Sequence, residues 1–347
     1  MENIRAALGR WLPWISLITV WFLWGSTYLA IRVAVGTIPP YLMAGTRYMI
    51  AGAILGAALL LWKRDLLARL GAPAWRSIAI MGFLLLVLGN GILCYVETRM
   101  PSGIAAIIVA TVPIWMVIID AAFSRKAIAL GSWIGLALGT IGLVALAGVH
   151  GGVVSIGPAL LLMLGAAAWA AGSVYARKHH GELSNPLVPA LEMFVGGAMM
   201  VIVGALTGEF AQLRLDAITS QSIAGFWWLV GPGAIVGYSA YGYAVRKLPT
   251  NITATYAYVN PIVAVALGAW FLHEPVTWNV MVGGAAVVLA VIAILKPAPR
   301  EEKREAGTDD DGTEERVAGI DAQFGDKDAR EHDDENAGRP RMTGDAA

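Results

Sequence analysis

Among the ionisable residues within or at the ends of long apolar runs, Arg47, Glu97, Asp120 and Glu192 stand out. A charge at membrane depth is expensive, so each marks a transport path, a proton relay or an ion pair. Arg47 lies about six residues inside its run. It either pairs with Glu97, at the close of the next run on the same side of the membrane, or snorkels towards headgroups. Glu192 lies about five residues inside its own run, in the opposite half of the membrane from Arg47. It is the candidate for proton coupling or for contact with a substrate amine; interfacial exposure is the alternative. Asp120, near Arg125, reads as an interfacial ion pair. Nothing comparable serves catalysis. The chain lacks a His-Glu-x-x-His pair, a phosphate-cradling Gly-x-x-x-x-Gly-Lys-Ser/Thr loop and a Gly-x-Ser-x-Gly nucleophile turn. Cys94 is the only cysteine, which excludes intrachain disulfides and cysteine-based metal sites. Neither an enzyme nor a nucleic-acid binder is expected, and no cofactor or metal site is.

A second kind of chemistry comes from broken helices. Pro113 deprives the carbonyl of Val109 of its helical donor, and Pro261 does the same to Ala257. Carbonyls freed near the midplane can line a polar cavity, although a plain kink is the alternative for each. Asn260 adds a donor and an acceptor at the same depth, and Thr111 lies beside the first break. Thr253, Tyr256 and Asn260 fall on one helical face by steps of three and four. Trp24, Tyr28, Trp169, Tyr175, Tyr238, Tyr241, Tyr243, Tyr256 and Tyr258 supply aromatic surface. They line a cavity for amphipathic or aromatic solutes, cations included, or else serve as lipid-belt and packing residues.

These residues need long helices to hold them. The chain has 347 residues, of which 57% are hydrophobic and 14% charged, against roughly a quarter charged in soluble proteins. Residues 1–297 hold 17 Lys+Arg and 9 Asp+Glu, and residues 298–347 hold 8 and 16. A basic membrane body thus precedes an acidic tail too polar to form a core. About ten apolar runs have the length of a bilayer span, near 14–34, 41–62, 76–96, 102–122, 129–147, 155–176, 187–207, 224–245, 251–271 and 277–296. The fourth and ninth correspond. With a shift of 148 and no gaps, Pro101, Ile104, Ala106, Pro113, Ile114, Val117, Ala121 and Phe123 match Pro249, Ile252, Ala254, Pro261, Ile262, Val265, Ala269 and Phe271. A domain-sized repeat follows. Basic pairs stand at opposite ends of the equivalent runs, Arg125-Lys126 after one and Arg246-Lys247 before the other, so the two copies are expected to be inverted. With the N-terminus inside, inner segments carry 13 Lys+Arg and outer ones 3, which places both termini in the cytoplasm. Gly131, Gly135 and Gly139 in the fifth run suit close helix packing, within one chain or across a homodimer.

Six stretches carry a family resemblance: Trp24-Gly25-Ser26-Thr27-Tyr28, Arg47 in its span, Gly89-Asn90-Gly91, Pro101 to Ala106, Ala110-Thr111-Val112-Pro113, and Thr255 to Ala264. Together they resemble the EamA-domain proteins of the drug/metabolite transporter (DMT) superfamily, and within it the YedA-like subgroup. The resemblance implies an all-α integral membrane fold of ten helices in two inverted five-helix repeats, 14–147 and 155–296, followed by a disordered cytoplasmic tail over 297–347. It implies a central cavity from spans 1, 3, 4, 6, 8 and 9, and a multi-pass protein of the cell inner membrane. The expected function is a secondary transporter, an exporter by alternating access, of small metabolites or drugs such as amino acids, nucleobases or amphipathic compounds, with Glu192 as its candidate for proton coupling. An uncoupled facilitator and a lipid-linked-substrate flippase are the alternatives. The expected substrate-cavity residues are Trp24, Tyr28, Arg47, Asn90, Glu97, Thr111, Pro113, Tyr256, Asn260 and Pro261, with Glu192 as the proton-coupling candidate. The expected partners are a small-molecule substrate, the bilayer and protons, for a monomer or a homodimer.

Overall fold

Apolar runs this long satisfy their backbone polar groups internally as helices, and every extended element of the computed structural model is helical among the described residues. The structure describes residues 2–124, 155–179, 181, 183–248 and 255–295, and residues 133, 134, 137, 138 and 141. The principal helices are α1 (Glu2–Ala34), α2 (Pro40–Trp62), α3 (Ala72–Glu97), α4 (residues 102–124), α5 (Ile156–Lys178), α6 (Val188–Leu206), α7 (residues 220–247), α8 (Tyr256–Leu272) and α9 (Trp278–Leu295). Seven stretches, one in each of α1 to α7, are long and apolar enough to cross a membrane. Helices α8 and α9 occupy the expected ninth and tenth runs. The expected fifth run with its glycine series, the start of the ninth (251–254) and the acidic tail lie outside the described residues.

The outer faces are apolar. Trp62, Leu206 and Trp270 are 86%, 82% and 80% exposed, which in water would be a severe liability and in a bilayer is the ordinary lipid-facing surface. The interior is built from Leu17, Ile31, Met43, Ile78, Leu86, Ile107, Leu162 and Met193. Helix pairing repeats between the halves. Helix α1 packs on α7 and α8, and α5 packs on α3 and α4, so the first helix of each half lies against the third and fourth positions of the other. Helices α2 and α6 pack on each other. Gly45 and Gly197 meet there, and a Cβ on either would come within 2.7 Å of the other's carbonyl oxygen.

Three helices depart from regular α geometry. Helix α3 is α-helical over Ala72–Met81, π-helical over Gly82–Gly91 and α-helical again over Ile92–Glu97. Helix α7 has the same three-part build, with its π segment at Leu229–Val236 around Pro232, which has no N–H to give. The repeat shift of 148 carries one π segment onto the other. π-helix is rare, seldom longer than a turn, and concentrates at functional sites. Helix α4 is two pieces, Ser102–Val109 and Val112–Ser124. Thr111 N donates to Ile108 O at 3.1 Å and the Thr111 hydroxyl to the same oxygen at 2.7 Å, so the chain tightens into a three-residue turn just before Pro113. Pro261, the repeat partner of Pro113, lies instead within continuous helix α8. The equal treatment of the two prolines expected from sequence does not hold. Thr111 supplies a turn-forming hydroxyl that has no counterpart beside Pro261, where the aligned residue is Val259.

Two carboxylates close helix ends across the halves. Glu274 accepts from Ser102 N at 2.8 Å, Ser102 Oγ at 2.9 Å and Gly103 N at 3.1 Å, at the start of α4. His273, at φ 53°, turns the chain through the left-handed region to bring Glu274 there. Glu209 accepts from Tyr41 N at 3.2 Å and Leu42 N at 2.9 Å, at the start of α2. Both satisfy orphan amides and complement the positive end of a helix.

Candidate functional site

The irregular stretches converge on one cavity of about 420 Å³. Its walls come from α1 (Trp24, Thr27, Tyr28), α3 (Gly89, Asn90, Leu93), the break in α4 (Val109, Ala110, Val112, Pro113), α5 (Gly165, Ala166, Trp169), α7 (Gly233, Ala234, Tyr238, Tyr241) and α8 (Tyr256, Asn260, Pro261). These are the helices at the expected span positions 1, 3, 4, 6, 8 and 9. Helix α2 adds Arg47 and Tyr48. The first π segment delivers Asn90 to the cavity; its partner by the repeat shift, Tyr238, lines the cavity from the α-helical turn just after the second π segment.

Close helix approach at glycines sets the walls. A Cβ at Gly89 would lie 2.9 Å from the Trp169 ring, and one at Gly237 would lie 2.5 Å from Trp24 Nε1. Trp24 donates from Nε1 to Gly233 O at 3.3 Å. Its ring centroid lies 5.0 Å from that of Tyr241, 5.3 Å from Tyr256 and 5.6 Å from Tyr238, and Tyr241 and Tyr256 are 5.6 Å apart. Rings at this spacing pack directly on one another as a continuous wall. Asn260, 7% exposed, satisfies the network with its amide nitrogen donating to Trp21 O at 3.1 Å and Tyr256 O at 3.2 Å. It ties α8 to α1.

Arg47 is 3% exposed. Its Nη2 donates to Asn90 Oδ1 at 2.5 Å, its guanidinium carbon lies 4.4 Å from the Tyr48 ring centroid, and its Nε has no hydrogen-bond partner. The expected pair with Glu97 does not form. Asn90, the residue Arg47 reaches, lies seven residues before Glu97, about 10 Å along a helix axis. Nor does Arg47 snorkel outwards, since its side chain is buried. Glu97 is fully buried outside the cavity wall with both carboxyl oxygens unpartnered, while Arg32 donates to its backbone carbonyl. Thr111 is also outside the wall, its hydroxyl spent on Ile108. Glu192 is buried on α6, away from the cavity lining. Trp24, Tyr28, Arg47, Asn90, Pro113, Tyr256, Asn260 and Pro261 are therefore brought together, and Glu97, Thr111 and Glu192 are not.

The cavity is asymmetric. At the end marked by Arg177 its lining reaches a side chain 58% exposed, which pairs with Asp120 at 3.4 Å. The expected partner of Asp120, Arg125, lies outside the described residues. At the other end Ile31, Val96, Met100 and Ile104 are 2% exposed or less and close the bundle. Sequence reasoning missed the π segments, the carboxylate caps and the lining roles of Tyr48 and Arg177. Only Pro232 and the paired glycines signalled the first of these.

The chain is 35% identical over 288 residues to the Escherichia coli (strain K12) protein named "Uncharacterized inner membrane transporter YedA", covering 80% of this chain and 89% of that one. It is 24% identical over 279 residues to the "Probable amino-acid metabolite efflux pump" of the same strain, covering 76% and 88%. One solved structure shares the fold with a TM-score of 0.57 at 18% identity, over 80% of this chain and 94% of that one. Residues 11–148 and 157–296 each match one family, the same two halves whose helix pairing repeats around the cavity, and the chain belongs to that family, the EamA-like transporters.

Proposed function

We propose that this protein is a secondary carrier that exports small organic metabolites across a bacterial inner membrane by alternating access. The carrying observation is the cavity itself. It lies where the breaks of α3, α4 and α7 meet, it reaches solvent at one end, and it is sealed at the other. Irregular backbone at membrane depth is tolerated where it lines a cavity, and repeat-built carriers place their substrate sites at such breaks. The names of the relatives support membrane transport, one of them in the inner membrane and another as efflux of amino-acid metabolites. In this reading residues 14–147 and 155–296 are inverted repeats, and rocking of one against the other exchanges the open and sealed ends. The positive-inside count puts the Arg177 end and both termini in the cytoplasm. Glu192, buried and unpaired among the described residues, is the proton-coupling candidate.

Purified protein in liposomes enclosing a pH-sensitive dye tests this. Amino acids, nucleobases and lipophilic amphiphiles are added class by class. Protein-dependent, saturable flux with a matching pH change is the expected result, and Glu192→Gln keeps substrate exchange while losing pH-driven flux. Flux indifferent to an imposed pH gradient makes the protein a facilitator. Scrambling of a labelled lipid without solute flux makes it a flippase.

A further inference from the structure

The charge on the cavity wall is one-sided. Among the described residues Arg47 and Arg177 line it, and no Asp or Glu does. Arg177 is already neutralised by Asp120 at the solvent end. Arg47 is not: among the described residues no carboxylate lies within ion-pairing distance of it, its Nε is unsatisfied, and its contacts are the Asn90 amide, the Cys94 thiol and the Tyr48 ring. A guanidinium at membrane depth with no acid in contact is costly to maintain, and it is suited to planar recognition of a carboxylate. Among the described residues the aromatic wall offers a cation no carboxylate. The rings of Trp24, Tyr241 and Tyr256 fill the space between one another at 5.0 to 5.6 Å, so no ammonium fits between them.

We infer that the cavity takes organic carboxylates with an apolar or aromatic body, the carboxylate set on the guanidinium of Arg47 and the body against the Trp24–Tyr241–Tyr256 wall. This rests on the carrier reading and narrows it to one substrate class. A zwitterion places its ammonium among neutral groups and binds less well. A purely cationic amphiphile meets Arg47 as a like charge and is rejected. Asn90 positions Arg47 by accepting from Nη2.

Three compounds that share a phenylethyl body separate these cases: 3-phenylpropionate, phenylalanine and phenethylamine. Their binding to the full-length protein in nanodiscs is measured by calorimetry, independently of transport. The expected order is phenylpropionate, then phenylalanine, then phenethylamine, with at least a tenfold difference in Kd between the first and the last. Arg47→Gln removes the preference for the carboxylate, and Arg47→Lys, which keeps the charge without the planar fork, restores part of it. Phenethylamine binding as tightly as phenylpropionate overturns the proposal. So does unchanged phenylpropionate affinity in folded Arg47→Gln, or binding of none of the three to the wild-type protein. If Arg47→Gln does not fold, the wild-type order and Arg47→Lys decide. Binding that depends on Arg47 but is followed by no flux in liposomes overturns the carrier reading and leaves the ligand class intact.

Discussion

Asn260 and Thr111 are both polar residues beside a helix-breaking proline, yet the structure gives them different work. The Asn260 amide crosses from α8 to the backbone of α1 at Trp21 and forms part of the cavity wall. The Thr111 hydroxyl turns back to Ile108 within its own helix and leaves the wall. Asn260→Ala removes an interhelical hydrogen bond, worth about 0.6 kcal/mol in membrane bundles, and changes the polarity of the wall. It is expected to slow transport about tenfold or more while the protein still inserts and its melting temperature changes little. Thr111→Val keeps the shape and loses only a local bond that competes with the helix, so flux is expected to stay within about twofold of wild type. Parallel flux and thermal-unfolding measurements on the two variants check the contrast. Equal losses of flux would assign Thr111 a part in the site that its geometry denies.

At the scale of elements, function depends on helices that start and stop at fixed places. The first half of α4 is only eight residues long, Ser102–Val109, and it begins at Glu274. Three hydrogen bonds to that one carboxylate hold its first turn and join it to the loop after α8. Glu274→Ala is expected to destabilise the protein by about 1–2 kcal/mol, the scale of a lost helix cap, read as a lower unfolding midpoint in detergent, whereas Glu274→Gln retains part of the loss. Seven of the expected spans and the break at Pro113 were legible in the sequence because apolar run length and proline act locally. Glu274 was visible only as a charge at a span end, since its partner lies 172 residues away. The π segments were hidden for a related reason. An extra residue per turn is a choice of backbone hydrogen-bond register, and side-chain type constrains it weakly except at Pro232. Arg47 was legible as a buried charge and misassigned in its partner, because its reach to Asn90 rather than Glu97 depends on how α2 and α3 lie side by side.

For the whole molecule, the asymmetry of the cavity is the property that carries function, and the chain's single thiol makes it measurable. Cys94 is fully buried, so a membrane-impermeant maleimide has little access to it and engineered cysteines can be read against a quiet background. Val117→Cys stands in the lining towards the Arg177 end, and Ile31→Cys stands in the sealed end. In inside-out vesicles the first is expected to label quickly and the second slowly. A protein that alternates must reverse this ranking when transport drives it to the other state, and on the proposed inverted-repeat reading the contacts between α1 and α7 and between α5 and α3 can exchange roles. Addition of a transported solute with a gradient favouring the opposite face should therefore slow labelling of Val117→Cys and speed labelling of Ile31→Cys together. If Val117→Cys responds while Ile31→Cys stays protected under every gradient, solute merely occupies a one-ended pocket, and the two halves do not rock against each other.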